Sequence, residues 1–403
     1  MRFDAIVIGG GPAGATAALM LARGGWSVVL VEKTAFPRRK VCGEFLSATN
    51  LPLLRELGAA DDFFRLAGPA IRRVGVFAGT SAVTAAMPRF TGDPHGWGHA
   101  LGREHLDTQL VNAAAAAGAT VWQPADAIEV SGRAGAFVCS VVRAQKTDVS
   151  RNVVPIHAPI VIAAHGSWDA GSLSTQRLRP SARRSDLFGF KARFIGSRLP
   201  HDLMPLLSFP GGYGGMVHTD HDRVSLSCCI RRDCLERCRQ ECPGAPAGEA
   251  LLAQIMRTTT AARDALDGAT VEPNSWRSAG PIRPGIHGVH RDGVLLVGNA
   301  AGEAHPVVAE GISMAIQSGS LLARLLIVSG PQADFASGRI EAEYAREWRR
   351  AFAPRIRAAA VIAQWAMRPA AVALTLPLLR AFPLVLTESA RTTGKVSARG
   401  STA

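Results

Sequence analysis

The chain is poor in tyrosine, in acidic residues and in long uninterrupted apolar runs. Two Tyr in 403 residues, with aromatics at 6%, leave little material for stacking nucleic-acid bases. The basic residues are not interleaved with aromatics either, so no nucleic-acid partner is expected. Asp and Glu number 32 against 45 Lys and Arg, a formal net charge of +13. That balance favours anionic partners such as phosphorylated cofactors or acidic lipid headgroups. No charge-free apolar window of about 18 residues occurs, so no membrane span is expected. The N-terminus lacks the apolar core and small-residue cleavage site of a secretory signal. Seven Cys, an odd number in a long chain, argue against a disulfide framework and for a reducing cytoplasmic location. The 41 Gly and 24 Pro follow no strict period, and no internal repeat is present. What the chain does have is apolar material for a sizeable core: 47% hydrophobic against 19% charged. Its length suits two or three domains.

The apolar pattern predicts a short buried strand at 4–8, a glycine turn, an Ala/Leu-rich helix to Arg23 and a Val-rich strand from Ser27 to Glu32. Helices are expected at 51–66, 103–118, 247–266 and 311–328. β-structure is expected at 70–87, 119–163 and 185–232, with a short strand at 293–297. From 339 the chain reads as basic helix broken by Pro354, Pro369, Pro377 and Pro383.

The first turn reads Gly9-x-Gly11-Pro12-Ala13-Gly14. Gly9 permits the tight turn, Gly11 lets the backbone approach a diphosphate, and Gly14 lets helix and strand pack closely. The helix N-terminus then offers free N–H groups and a partial positive charge. Glu32, followed by Lys33, closes the second strand 23 residues after Gly9, where an acid accepts hydrogen bonds from a ribose. Late in the chain, Gly293 to Gly302 repeats the strand-into-glycine-turn pattern. Asn299 stands at the mouth of that turn, and a helix opens at Gly311-Ile312. A helix N-terminus there favours a ring system that becomes anionic on reduction.

With both ends in view, residues 1–330 resemble the FAD-dependent oxidoreductases of the aromatic-hydroxylase, geranylgeranyl-reductase and flavin-halogenase superfamily. The resemblance implies FAD as cofactor and a discontinuous Rossmann-like α/β domain: 1–50, 100–180 and 280–330. A β-rich substrate domain is inserted as 51–99 and 181–279, and 331–403 forms a C-terminal helical region. The superfamily's Gly-Asp here reads Gly298-Asn299, which keeps the hydrogen bonding and loses the charge. Arg103 resembles the arginine that opens a helix and contacts the diphosphate. Cys42-Gly43-Glu44 resembles the stretch that lies beside the flavin in the reductase branch. Cys42 and Glu44 are therefore the catalytic candidates, with three cations, Arg38 to Lys40, just before them.

Several positions depart from the superfamily. His165 stands where aromatic hydroxylases carry Asp before Gly166, which bears on direct NAD(P)H use; the electron donor is NAD(P)H or a separate reductase. The Trp-x-Trp-x-Ile-Pro signature of halogenases is missing. Gly212-Tyr213-Gly214-Gly215 replaces the Gly-Tyr-x-Trp of lipid reductases. Cys234, Cys238 and Cys242 would line one helix face near Cys228 and Cys229, but no standard metal-site spacing results and no metal is expected. The resulting expectation is an FAD-dependent monooxygenase or related oxidoreductase acting on a hydrophobic aromatic or polyketide-like molecule. Reduction of lipid or isoprenoid double bonds is the alternative, and a non-catalytic flavin-binding protein the third. The arginine-punctuated tail suits either a cap on the core or a peripheral contact with a membrane.

Overall fold

The computed structural model describes residues 1–143, 153–168, 171–176 and 181–395. The expected segments 100–180 and 331–403 thus run partly outside the described residues.

Four-residue apolar runs build the first sheet. Ala5–Ile8, Val28–Val31 and Ile160–Ala163 are buried at every residue, as parallel strands covered on both faces must be. Ala5 pairs with Val28 on one side and Ile160 on the other. Thr120–Trp122 and Val294–Leu296 extend the sheet, and His290–Arg291 closes one edge antiparallel, giving six strands. The first helices in the chain are α1 (Pro12–Arg23), α2 (Leu51–Glu56), α3 (Ala60–Leu66) and α4 (Arg103–Ala116). Next come α5 (Arg232–Glu241), α6 (Ala247–Thr258), α7 (Thr260–Leu266) and α8 (Gly311–Ser329). The tail holds α9 (Arg339–Ala366), α10 (Pro369–Ala381) and α11 (Leu384–Ala390).

Helix α1 packs against α4 and α8. At Gly319 in α8 a side chain would meet the Ala13 carbonyl oxygen at 2.2 Å, so the two backbones touch. By length and apolarity α8 could cross a membrane, but 56% of its most apolar window is buried, and its inner face belongs to the first core.

The second sheet has eight strands. Its path runs Thr270–Val271, Leu187–Ile195, Val224–Arg231, Gly212–His218, Leu203–Phe209, Arg73–Ala78 and Ser81–Ala86, with Arg277–Ile282 also paired to Leu187–Ile195. Helices α5 to α7 bury a second core on one face. On the other, Val76 and Val83 meet Val372, Leu376, Leu379 and Leu386 of the tail.

Three expectations change. Residues 51–66, placed with the substrate domain from sequence, form two helices and a short link whose Leu51, Leu54, Leu57 and Phe63 lie in the first core. Helical period marks an apolar face but not the sheet it meets. The 119–163 region is not one meander: Ala125–Arg133, Ala136–Arg143 and Val153–Ala158 form a separate three-stranded sheet, while its two ends enter the first sheet. Pro354 and Pro377 lie inside α9 and α10 rather than breaking them. Each proline and the residue four before it, Arg350 or Ala373, is solvent-exposed, so the carbonyl that loses its N–H donor is not buried without a partner. Pro369 and Pro383 instead open helices, where proline costs no backbone bond. Helices α9 and α10 meet at 102°.

Candidate active site

The glycines of the first turn divide into two kinds. Gly9 has φ +108°, and a side chain there would meet the Ala164 carbonyl oxygen at 2.5 Å. One at Gly14 would lie 2.0 Å from the Gly9 carbonyl oxygen. Both are demanded by packing. Gly11 caps α1 with an ordinary φ of −70°, and its would-be side chain faces open space, with the Arg103 guanidinium 3.7 Å away. The N–H groups of Ala13 and Gly14, in the first turn after Pro12, have no preceding helical carbonyl to bind. Glu32 accepts from the Gly10 N–H at 2.8 Å and the Thr34 N–H at 2.9 Å. Exposed Lys33 and half-buried Arg38 line the same cleft.

Arg103 opens α4 and grips Asp107 with two bonds of 2.6 and 2.7 Å. Burial opposes its charge, but Asp107 outweighs burial and raises its pKa. The Cys42 thiol is also beside this guanidinium, and the Ser227 hydroxyl donates to the Cys42 carbonyl at 2.8 Å. Gly43 faces open space.

Glu44, buried at φ +62°, is engaged differently from the sequence expectation. Its carboxylate is ion-paired to buried Lys191 and to Arg193, the latter at 2.7 Å. Arg193 continues to Glu104 at 2.9 Å, and Arg39 bridges Glu104 and Glu272 at 3.3 Å each. Burial pushes the Glu104 pKa up, and Arg193 more than reverses this, leaving it lowered. This network ties the loop after Lys40 to the second sheet. Both pairs engage Glu44 Oε1, which holds the carboxylate in place at the cavity wall, while its Oε2 has no partner among the described residues.

The second motif comes close to the first. Gly298 (φ +61°) would press a side chain within 2.9 Å of Ala13 Cβ, and its N–H donates to Ser318 Oγ at 3.1 Å. Asn299 is half-buried, its carbonyl accepting from His287 Nδ1 at 3.1 Å. Gly311, the first residue of α8, faces open space, and Ile312 packs beneath it. His165 is held through Nε2 by Thr175 Oγ1 at 3.0 Å.

Some groups at the site carry no local sequence signal. Lys395 reaches back from the chain's far end to Glu310 at 2.7 Å and to the Val308 carbonyl at 2.8 Å. Glu303 accepts from Ser167 Oγ at 2.6 Å and Trp168 Nε1 at 3.0 Å. The Tyr213 hydroxyl meets His305 Nδ1 at 3.2 Å. The cysteine cluster divides: Cys228, Cys234 and Cys238 pack in the second core, while Cys229 lies beside Tyr213 and, with Cys228, lines the cavity. Burial pushes the Cys238 thiol up to about 11.

All the expected cofactor residues except Gly14 line one cavity of about 710 Å³. It runs from the first turn, past Cys42 and Gly311, into a chamber between the second sheet and the tail. Val76, Met204, Leu206 and Met216 form the sheet side of that chamber; Ile362, Trp365, Leu379 and Leu386 form the tail side. FAD fits this outline. Open backbone at Gly11, Gly43 and Gly311 admits a cofactor where a side chain would intrude, and Arg38, Lys40 and Arg103 set positive charge beside it.

The profile of the FAD binding domain family matches residues 2–350. Menaquinone reductase of Mycobacterium tuberculosis (strain H37Rv) is 28% identical over 337 residues, 80% of this chain and 76% of that protein. Digeranylgeranylglycerophospholipid reductase of Thermoplasma volcanium is 26% identical over 353 residues, 80% of this chain and 77% of that one. Among solved structures, the myxobacterial chondrochloren halogenase shares the fold with a TM-score of 0.75 at 21% identity, over 96% of this chain and 90% of the halogenase. With its cofactor cleft assembled from both ends of a discontinuous domain, the chain belongs to the FAD binding domain family and is a flavoprotein of the oxidoreductase type.

Proposed function

We propose that this flavoprotein reduces a carbon–carbon double bond in a lipophilic, prenyl-type substrate held in the chamber between the second sheet and the tail. The carrying observation is the apolar lining of that chamber, continuous with the cofactor cleft. Each methylene of a substrate buried there gains about 0.8 kcal/mol. A polar group left unpaired there costs about 1–3 kcal/mol. The named functions of the two sequence relatives, menaquinone reductase and digeranylgeranylglycerophospholipid reductase, support reduction over oxygen transfer.

The bound FAD would supply the redox chemistry, and the chain's own residues bind, orient and exclude water. The first turn of α1 and Arg103 would hold the diphosphate, Glu32 the ribose, and the α8 N-terminus the negative charge of the reduced ring. Oxygen transfer to an aromatic or polyketide-like molecule is the second reading. It is favoured by Gly215, which stands where lipid reductases carry Trp and so widens the chamber.

Dithionite-reduced enzyme, which needs no nicotinamide or partner reductase, separates these readings. It is offered prenylated quinones, polyprenyl lipids and polyphenols with and without oxygen. Anaerobic flavin reoxidation with two hydrogens added to the prenyl chain, located by fragmentation and retained after the quinone ring is reoxidised, is the expected result. A product heavier by one oxygen, formed only in air, replaces reduction by the second reading. Flavin that no substrate reoxidises leaves a binding protein.

A further inference from the structure

We propose that the corner between α10 and α11 is a docking surface for an anionic lipid bilayer. From Pro377 to Val385 only Leu379 is buried. Leu378 is 53% exposed, Phe382 59% and Leu384 74%, and Leu374 one turn earlier is 82% exposed. Large apolar side chains gathered on successive turns mark an interaction surface rather than scattered exposure. The corner is also held in place. The inner face of the same two helices packs on the second sheet through Val372, Leu376 and Leu386, so the outer face has no route into the core.

Charge selects the occupant. From Trp348 to Thr387 the chain carries six arginines and no acid, and Arg357, Arg368 and Arg380 are exposed. A second copy docked corner to corner about a two-fold axis would set Arg380, in the last turn of α10, close to its own counterpart. Anionic headgroups complement the arginines, and the acyl region takes the apolar tip. A second observation points the same way. Leu378 and Val385 are exposed and also line the cavity, as does Val361, 70% exposed. The apolar chamber therefore reaches the surface at this corner, where a bilayer supplies an apolar phase. The docking surface does not depend on which reaction the flavin performs.

The test is sedimentation of the full-length, FAD-loaded protein with phosphatidylcholine vesicles, with and without phosphatidylglycerol, at low and high salt. Wild type is expected to sediment with the anionic vesicles, less so at high salt. A Phe382→Ser, Leu384→Ser double variant is expected to lower partitioning by about tenfold or more. FAD content and thermal midpoint should hold, because both side chains point to solvent and neither lines the cavity. An Arg357→Gln, Arg368→Gln variant should lose the preference for anionic vesicles. Equally weak binding to both vesicle types, or unchanged binding by the apolar variant, overturns the proposal. So does a lipid-independent dimer in analytical ultracentrifugation that the apolar variant dissolves, which would assign the corner to a second copy.

Discussion

Gly11 and Gly14, three residues apart, carry opposite duties. A Gly11→Val chain should fold, since the backbone there has an ordinary φ and open space around it. Its side chain would occupy the diphosphate approach, so FAD content read from the visible spectrum should drop about tenfold or more. Gly14→Ala would drive a carbon to 2.0 Å from the Gly9 carbonyl oxygen. That variant should lose stability, by about 1–3 kcal/mol or more, before any question of FAD arises. Full FAD occupancy in a folded Gly11→Val protein would remove the cofactor from this turn. A pH effect belongs to the same scale. Burial holds His305 down at about 4, against about 6.5 for an exposed histidine. Between those values the unfolded chain binds the extra proton and the folded chain does not. Stability is therefore full above about pH 6.5 and falls as pH drops toward 4. His99 and His218 are lowered by burial too, so the measurable quantity is a difference in slope. The urea midpoint of His305→Asn should fall less between pH 7 and pH 5 than that of wild type. Parallel slopes would show that His305 does not supply this acid sensitivity.

The tail shows how far periodicity reaches at the scale of elements. Its helices follow from the sequence, because apolar residues recur at helical spacing around Val372, Leu376 and Leu379. Pro354 and Pro377 each sit on the solvent side of a helix whose other side is packed, so the carbonyl four residues earlier is open to water and tertiary packing holds the helix through the proline. The tail's two expected roles sit on two faces of the same helices: one caps the second sheet, and the other is the surface proposed for lipid. The capping role has its own test. Leu376 is 5% exposed and packs against strand residues of the second sheet. Leu376→Ala should cost about 2–5 kcal/mol in unfolding free energy, while FAD content at room temperature stays near wild type. A cost below about 0.5 kcal/mol, the range of ordinary surface changes, would mean the tail only rests on the sheet.

At the scale of the whole molecule, the cofactor cleft was legible because its signals are local: Gly9, Gly11 and Gly14 share one turn, and Glu32 lies one helix and one strand further on. What closes the site was not. Glu44 finds Arg193 across 149 positions, and Glu310 finds Lys395 across 85; nothing local singles out either cation among 45. The same holds for the chamber, whose walls come from the middle of the chain and from its tail and meet only once the second sheet is in place. That chamber yields the most direct test of substrate class. Gly215 lines it, and its backbone does not require glycine: its φ is outside the left-handed region, and a side chain's nearest neighbour would be the Pro205 carbonyl oxygen at 3.3 Å. Gly214 next to it offers no such room, with Cys228 Cβ at 2.9 Å. Gly215→Trp should therefore be accommodated with a small shift of the neighbouring strand, and the indole should take up chamber volume. FAD content should be largely kept, because the glycine turns proposed to hold the cofactor lie on the other sheet; the new indole faces Ser227, which holds the Cys42 carbonyl, so FAD content is measured alongside. Against a series of substrates of increasing chain length, kcat/KM should fall about tenfold or more for the longest and little for the shortest, as loss of pocket volume discriminates by size. An equal fall for all lengths would point to a disturbed flavin rather than a filled chamber, and no fall at any length would place the substrate elsewhere.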